Sequence, residues 1–237
     1  MNKTTGLSFL LQRHLPIALL AFLLALPFWY GRMDWDAEMR LWRAIGDSSF
    51  LLLFFTLAIG PLARLWPATA RFVPWRRETG IWYGLTAFLH TFLVWDGWAR
   101  WDWLRLLGYE FVPELGRVAR LEPGFGLANL MGLVAVFFTL VLVATSANWA
   151  VNRLGATAWK WLQYSSYTVF YLVVLHTLYF LFIHYTASFH RRVPEDANWF
   201  QIPFLILAAL VPILQGAAFL KATLNRRASN VQVHRSR

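Results

Sequence analysis

Cysteine is absent from this chain of 237 residues. That absence excludes disulfides, iron–sulfur clusters and the thioether attachment of c-type haem, each of which needs sulfur. Charge is scarce as well: 14% of the residues are Asp, Glu, Lys or Arg, against about 25% in an ordinary soluble domain. What charge there is comes in short tracts, so the net +10 does not form the continuous basic face that a nucleic-acid partner requires. No nucleic acid is expected.

Apolar side chains take up the space, at 58% of the sequence. Six segments approach the roughly 20 apolar residues that cross a bilayer: Leu15 to Tyr30, Ser48 to Leu65, Gly80 to Trp95, Leu127 to Ala147, Trp161 to Tyr185 and Phe200 to Leu220. Many of the fourteen tryptophans flank them, among them Trp29, Trp66, Trp75, Trp95, Trp98, Trp101 and Trp103, where amphipathic rings anchor at the headgroups. The first segment lacks a small-x-small cleavage pattern and reads as an uncleaved span. With no repeat and no low-complexity linker, residues 1–237 read as one domain, an all-α bundle of six transmembrane helices in contact with lipid.

Charge sets the direction. The N-terminal stretch, the loop holding Arg64, Arg71, Arg76 and Arg77, the Arg153/Lys160 loop and the C-terminal stretch carry 13 Lys/Arg and one acid, Glu78, whereas the other three loops carry 9 Lys/Arg and 11 acids. The positive-inside rule then puts both termini in the cytoplasm of a bacterial inner membrane. The long loop from Asp96 to Gly126 faces outward as a docking surface.

Within the expected spans no Asp, Glu or Lys occupies the interior, and Arg64 lies near an end where it can snorkel. The remaining ionisable residues are His90, His176 and, nearer an end, His184. Buried ionisable groups are costly and mark function. There are no membrane carboxylates for a proton-coupled transporter and no HExxH helix for a zinc protease. Two histidines do suffice as axial ligands of a b-type haem, because the porphyrin supplies the equatorial nitrogens. His90 stands eight residues before Trp98 and His176 nine before Tyr185, which at about 1.5 Å per residue places both roughly 12 to 14 Å from the outer end. A single membrane histidine serves equally well as an interhelical hydrogen-bonding group; the matched depth of two favours ligation.

Around His90, Ala87 and Thr86 leave room for a flat macrocycle, and Gly80 and Gly84 allow close helix approach. On the His176 face, Val169, Leu172, Val173, Tyr179 and Phe180 form a dry wall. His184 lies about 80° around an α-helix from His176, which reads as an interfacial residue off the ligand face; His14, His190 and His234 read as solvated. Gly124-Phe-Gly126-Leu-Ala-Asn129 imitates a dinucleotide fingerprint without its third glycine or preceding strand. Arg76-Arg77-Glu78 reads as a topology determinant or an anion contact.

Several short motifs carry a family resemblance over about residues 45–185: Gly60-Pro61-Leu62-Ala63-Arg64, Arg76-Arg77-Glu78-Thr79-Gly80, Leu89-His90, Thr145-Ser146, Arg153-Leu154-Gly155, Trp159, Leu162, Tyr167 and Leu175-His176. The chain resembles the ferric-reductase-like transmembrane family. That resemblance implies b-type haem between His90 and His176. It further implies electrons entering from a membrane quinol or a cytoplasmic flavin reductase and leaving to a periplasmic acceptor, such as a molybdopterin enzyme that reduces methionine sulfoxide. The family commonly carries another histidine thirteen residues before the second ligand; here that position is Gln163, and thirteen before His90 stands Arg77. Neither ligates haem iron well, so one haem is expected, with Arg64, Arg77 and Gln163 as inner-face contacts for an FMN or quinone. A ferric or other metal reductase component with a different partner is the alternative, and a non-haem structural or transport protein the third reading.

Overall fold

The computed structural model describes residues 4–120, 123–184, 186 and 198–235. Tyr185, the expected end of span five, and His190 lie outside the described residues, as does the side chain of His234. Helix α1 covers Thr4–Tyr30, α2 Ala37–Leu65, α3 Arg76–Leu93, α4 Trp103–Leu106, α5 Pro123–Ala144, α6 Asn148–Leu154, α7 Ala156–Gln163, α8 Ser165–Leu178 and α9 Gln201–Arg235. Five stretches are long and apolar enough to cross a membrane: Leu11–Tyr30, Ala37–Leu65, Gly124–Ala144, Ala156–Ile183 and Gln201–Arg226. The chain is a multi-pass membrane protein. Helix α3 falls outside this set because its first turn is Arg76-Arg77-Glu78.

Helix α2 is the hub, packing on α1, α3, α8 and α9, while α5 packs on α8 and α3. It starts eleven residues earlier than the apolar run suggests. Asp36 caps it, its carboxylate accepting from the backbone N–H of Glu38 and Met39, which satisfies two of the donors orphaned at a helix start. The early start buries Asp47, whose carboxylate accepts from Arg32 in the α1–α2 turn. Arg32 also reaches Asn198 ahead of α9, at 3.4 Å. Two acids just outside the expected spans are buried all the same: Asp47, one residue before the second, and Glu78, two before the third.

Aromatic rings fill the interior between α1, α2 and α9, with Phe28 4.7 Å from Phe200 and Phe50 4.8 Å from Phe204, centroid to centroid. Leu15, Leu19 and Phe22 of α1 and Ile206, Ile213 and Phe219 of α9 face outward, as surfaces in contact with acyl chains do. Helix α3 closes on α5 at Gly84, where a Cβ would lie 2.5 Å from Val143 Cγ2. Hydroxyls inside the helices bond back to the preceding turn, as Thr86 does to Trp82 and Thr139 to Ala135, which satisfies them in a medium without water, whereas Ser166 Oγ is buried without a hydrogen-bond partner.

Two departures from α geometry matter for the site. Helix α3 runs into a π-helical turn at Val94–Ala99, and α8 into another at Tyr179–Ile183, where His184 N–H donates to Tyr179 O at 2.9 Å. Between α4 and α5 the loop forms a hairpin that the all-helical reading did not foresee. Its strands β1, Tyr109–Val112, and β2, Arg117–Arg120, pair antiparallel with Tyr109 opposite Arg120, and Gly116 takes the left-handed conformation in the turn, at φ +60°.

Replacing Arg32 with Met strands the Asp47 carboxylate without its partner. Breaking a buried pair in this way costs roughly 3–5 kcal/mol. Thermal unfolding in detergent is expected to show that loss for Arg32→Met, with most of it recovered in Arg32→Met/Asp47→Leu; an unchanged midpoint for the single variant would contradict the burial.

Candidate functional site

A cavity opens between α2, α3, α5 and α8 toward the hairpin end of the bundle. It is lined by both His90 and His176. Two residues 86 positions apart in sequence thus meet across one space, on helices that do not neighbour each other in the chain.

Each imidazole is held in the same way. His90 Nδ1 is 2.8 Å from the carbonyl oxygen of Trp42 on α2, and His176 Nδ1 is 2.8 Å from that of Ala128 on α5. A carbonyl can only accept, so each Nδ1 carries the proton and donates it, and each Nε2 keeps its lone pair. Four residues beyond each carbonyl stands a glycine. A Cβ on Gly46 would lie 2.9 Å from His90 Cε1, and one on Gly132 3.0 Å from His176 Nδ1. Both rings therefore lie close against bare backbone.

The two halves match further. Leu89-His90-Thr91 on α3 is echoed by Leu175-His176-Thr177 on α8, and each histidine lies 48 residues after its carbonyl. The sequence carried this repetition, in the tripeptide and in the paired Gly46 and Gly132, although no repeat was read from it.

The π turns complete the correspondence. A π turn takes up one residue more than an α turn, which sets the following residues back by roughly 100°. His184 therefore returns to the face of His176 and lines, with Phe180, a second cavity that shares both His90 and His176 with the first, as Trp98 does with His90 and Val94. The expected placement of His184 off the ligand face assumed unbroken α geometry and is corrected here. Its ring lies 5.1 Å from Phe125 and 5.4 Å from Phe180.

The remaining expected residues divide. Ala87, Val173 and Phe180 line the cavity. Thr86 does not; its hydroxyl bonds to the carbonyls of Trp82 and Tyr83. Arg77, Gln163 and Arg64 lie toward the opposite, basic end. Arg77 donates to Asn148 at 3.1 Å, Gln163 to Thr145 at 3.5 Å, and Arg64 is exposed in the last turn of α2. Gly124 and Gly126 serve packing: a Cβ would strike Tyr179 at the first and the Leu107 carbonyl at the second, 2.5 and 2.4 Å away. Sequence reasoning missed Arg43, Asp47, Trp98 and Asn129, which line one or both of the two cavities: the first three fall outside the segments read as spans, and Asn129 stands in a stretch read only as a chance imitation of a dinucleotide fingerprint.

No family model matches the chain. The protein-methionine-sulfoxide reductase heme-binding subunit MsrQ of Bordetella pertussis is 32% identical over 154 residues, 63% of this chain and 66% of that protein. MsrQ of Ralstonia nicotianae is 31% identical over 137 residues, 56% of this chain and 55% of the relative. The magnetosome protein MamZ of Paramagnetospirillum magneticum is 28% identical over 134 residues, 56% of this chain and 19% of that one. The chain spans just under two thirds of the length of the first of these relatives.

Solid-state NMR of ring-nitrogen-labelled, ligand-free protein in lipid is expected to find the proton of both His90 and His176 on Nδ1. A proton on Nε2 in either ring would contradict the carbonyl anchoring.

Proposed function

Because the chain belongs to the ferric-reductase-like membrane family, with MsrQ heme-binding subunits among its homologues, we propose that it is a membrane electron-transfer subunit holding one b-type haem between His90 and His176. The observation that carries this reading is the pair of Nδ1-anchored imidazoles on one cavity, both with Nε2 available. Haem supplies an iron centre that gains and loses one electron. The chain's own residues do the rest. The two carbonyls fix tautomer and ring orientation and raise the basicity of each Nε2, as hydrogen-bond partners of metal-bound histidines do. Gly46 and Gly132 admit the rings, and Ala87, Val136, Val173 and Phe180 keep the walls dry. Two strong axial ligands leave no open coordination position, which suits electron transfer better than oxygen chemistry.

A single haem is supported by the basic end, where Arg77 and Gln163 are engaged with Asn148 and Thr145 and neither is a good iron ligand. Helix α3 lies packed between α2 and α5, which supports it as a sixth span. With it the basic loops fall on one side, and both termini are cytoplasmic in a bacterial inner membrane. Electrons then arrive from a membrane quinol or a cytoplasmic flavin reductase, with FMN or quinone bound toward the basic end. They leave at the hairpin end to a periplasmic molybdopterin enzyme that reduces methionine sulfoxide, in keeping with the MsrQ relatives being heme-binding subunits of protein-methionine-sulfoxide reductase.

Absorption spectra of detergent-purified protein test this directly. Wild type is expected to hold about one low-spin b-type haem per chain, and His90→Ala or His176→Ala to lose it or become high-spin. A colourless wild type from haem-replete cells, or low-spin spectra unchanged in both variants, would overturn the assignment.

A further inference from the structure

The two halves of the site match in shape but not in charge. On α2, Arg43, Gly46, Asp47 and Phe50 all line the first cavity, at the i, i+3, i+4, i+7 spacing of a single helix face. Asp47 directly follows the glycine against which the His90 ring lies, and among the described residues it is the one acid in that lining. The matching position in the other half is Leu133. It follows Gly132 and stands 86 residues after Asp47, as His176 does after His90, and it lines the same cavity. Leucine closes the wall on one side, so shape alone does not call for a carboxylate on the other.

The charge of Asp47 is kept in place by Arg32, which donates to it. Both side chains are buried. The guanidinium lies 5.5 Å from the Phe28 ring and 5.4 Å from that of Trp35, and its Nε and Nη1 have no hydrogen-bond partner. Arg32 stands outside the cavity lining. The pair is therefore a buried dipole with its negative end on the cavity wall and its positive end off it, in surroundings that screen charge far less than water does. Arg43 adds a cation to the same lining, against the Trp35 and Phe180 rings, and is unaltered in both variants of the test.

We propose that the Arg32–Asp47 pair lowers the reduction potential of a haem seated between His90 and His176, making its ferrous form a stronger electron donor. This rests on the haem reading above. Loss of an electron leaves one more positive charge on the iron and its porphyrin, and a carboxylate on the cavity wall favours that more positive, ferric state. Asp47 acts through space, so the two axial ligands and the spectrum they produce are untouched. The direction suits a subunit that hands electrons on, because a lower potential strengthens the drive toward an external acceptor.

Redox titration of the purified, haem-loaded full chain, followed at its low-spin absorption band, tests this. Asp47→Asn is expected to raise the midpoint by about 59 mV or more, a tenfold fall in the ferric-to-ferrous ratio at fixed potential for a one-electron couple. Arg32→Met/Asp47→Leu removes both charges together and strands neither; its midpoint is expected to move the same way by a smaller amount. Both variants are expected to keep the low-spin spectrum of wild type. Mere loosening of the bundle would admit water, which stabilises the more charged ferric state, and would move the midpoint downward. A midpoint unchanged or lowered in either variant overturns the tuning alone. Failure of both variants to retain low-spin haem does the same, since the pair would then serve retention of the cofactor. A wild type that binds no haem overturns the haem reading and the tuning with it.

Discussion

Everything at the site depends on two hydrogen bonds from imidazole Nδ1 to backbone carbonyl. In a hydrocarbon interior a histidine that points nowhere is an expense, and one that donates a proton to the next helix is ordinary packing. The arrangement here is different in one respect: both rings donate with the same nitrogen, at the same 2.8 Å, and turn the other nitrogen toward a shared cavity. The helices supply those carbonyls only because Gly46 and Gly132 let the rings lie against the backbone one turn farther on. Helix packing and ligand geometry are thus one constraint, since close approach of α2 to α3 and of α5 to α8 is what aims the two Nε2 atoms.

The repetition of this unit gives the fold its logic. Carbonyl, glycine, histidine and π turn occur in the same order in both halves, and the two halves face each other across the cavity. Where they differ, function has room to be asymmetric. Trp98 on one side stands opposite His184 on the other, and Arg43 stands beside one carbonyl where Asn129 stands beside the other, its amide committed to the Leu106 carbonyl. The hairpin end is therefore polar and basic at one lip and aromatic at the other. At the basic end, Arg77 on α3 and Gln163 at the close of α7 are tied to Asn148 at the start of α6 and Thr145 just after α5.

The sequence made some of this plain and hid the rest for physical reasons. Long apolar runs reveal spans because lipid tolerates nothing else, so α1, α5 and α9 were legible. The start of α2 was hidden because its first three turns carry Glu38, Arg40, Arg43 and Asp47, which look like loop residues until Arg32 is brought alongside. The paired histidines stood out because so few ionisable groups lie in the apolar runs. The carbonyl partners left no trace, since any residue has a carbonyl. His184 was misplaced by a rotation rule that holds only for α geometry, and π turns have no composition that announces them. The hairpin was lost in a loop whose strands are four residues each.

The measurement closest to the central claim is electron paramagnetic resonance of the oxidised, purified protein together with its iron content. A single low-spin ferric species with two imidazole ligands, at about one iron per chain, is what paired Nδ1-anchored histidines predict. A high-spin signal, or two distinct low-spin species in equal amount, would contradict it: the first would deny one of the axial bonds, and the second would require a further ligand pair elsewhere in the bundle.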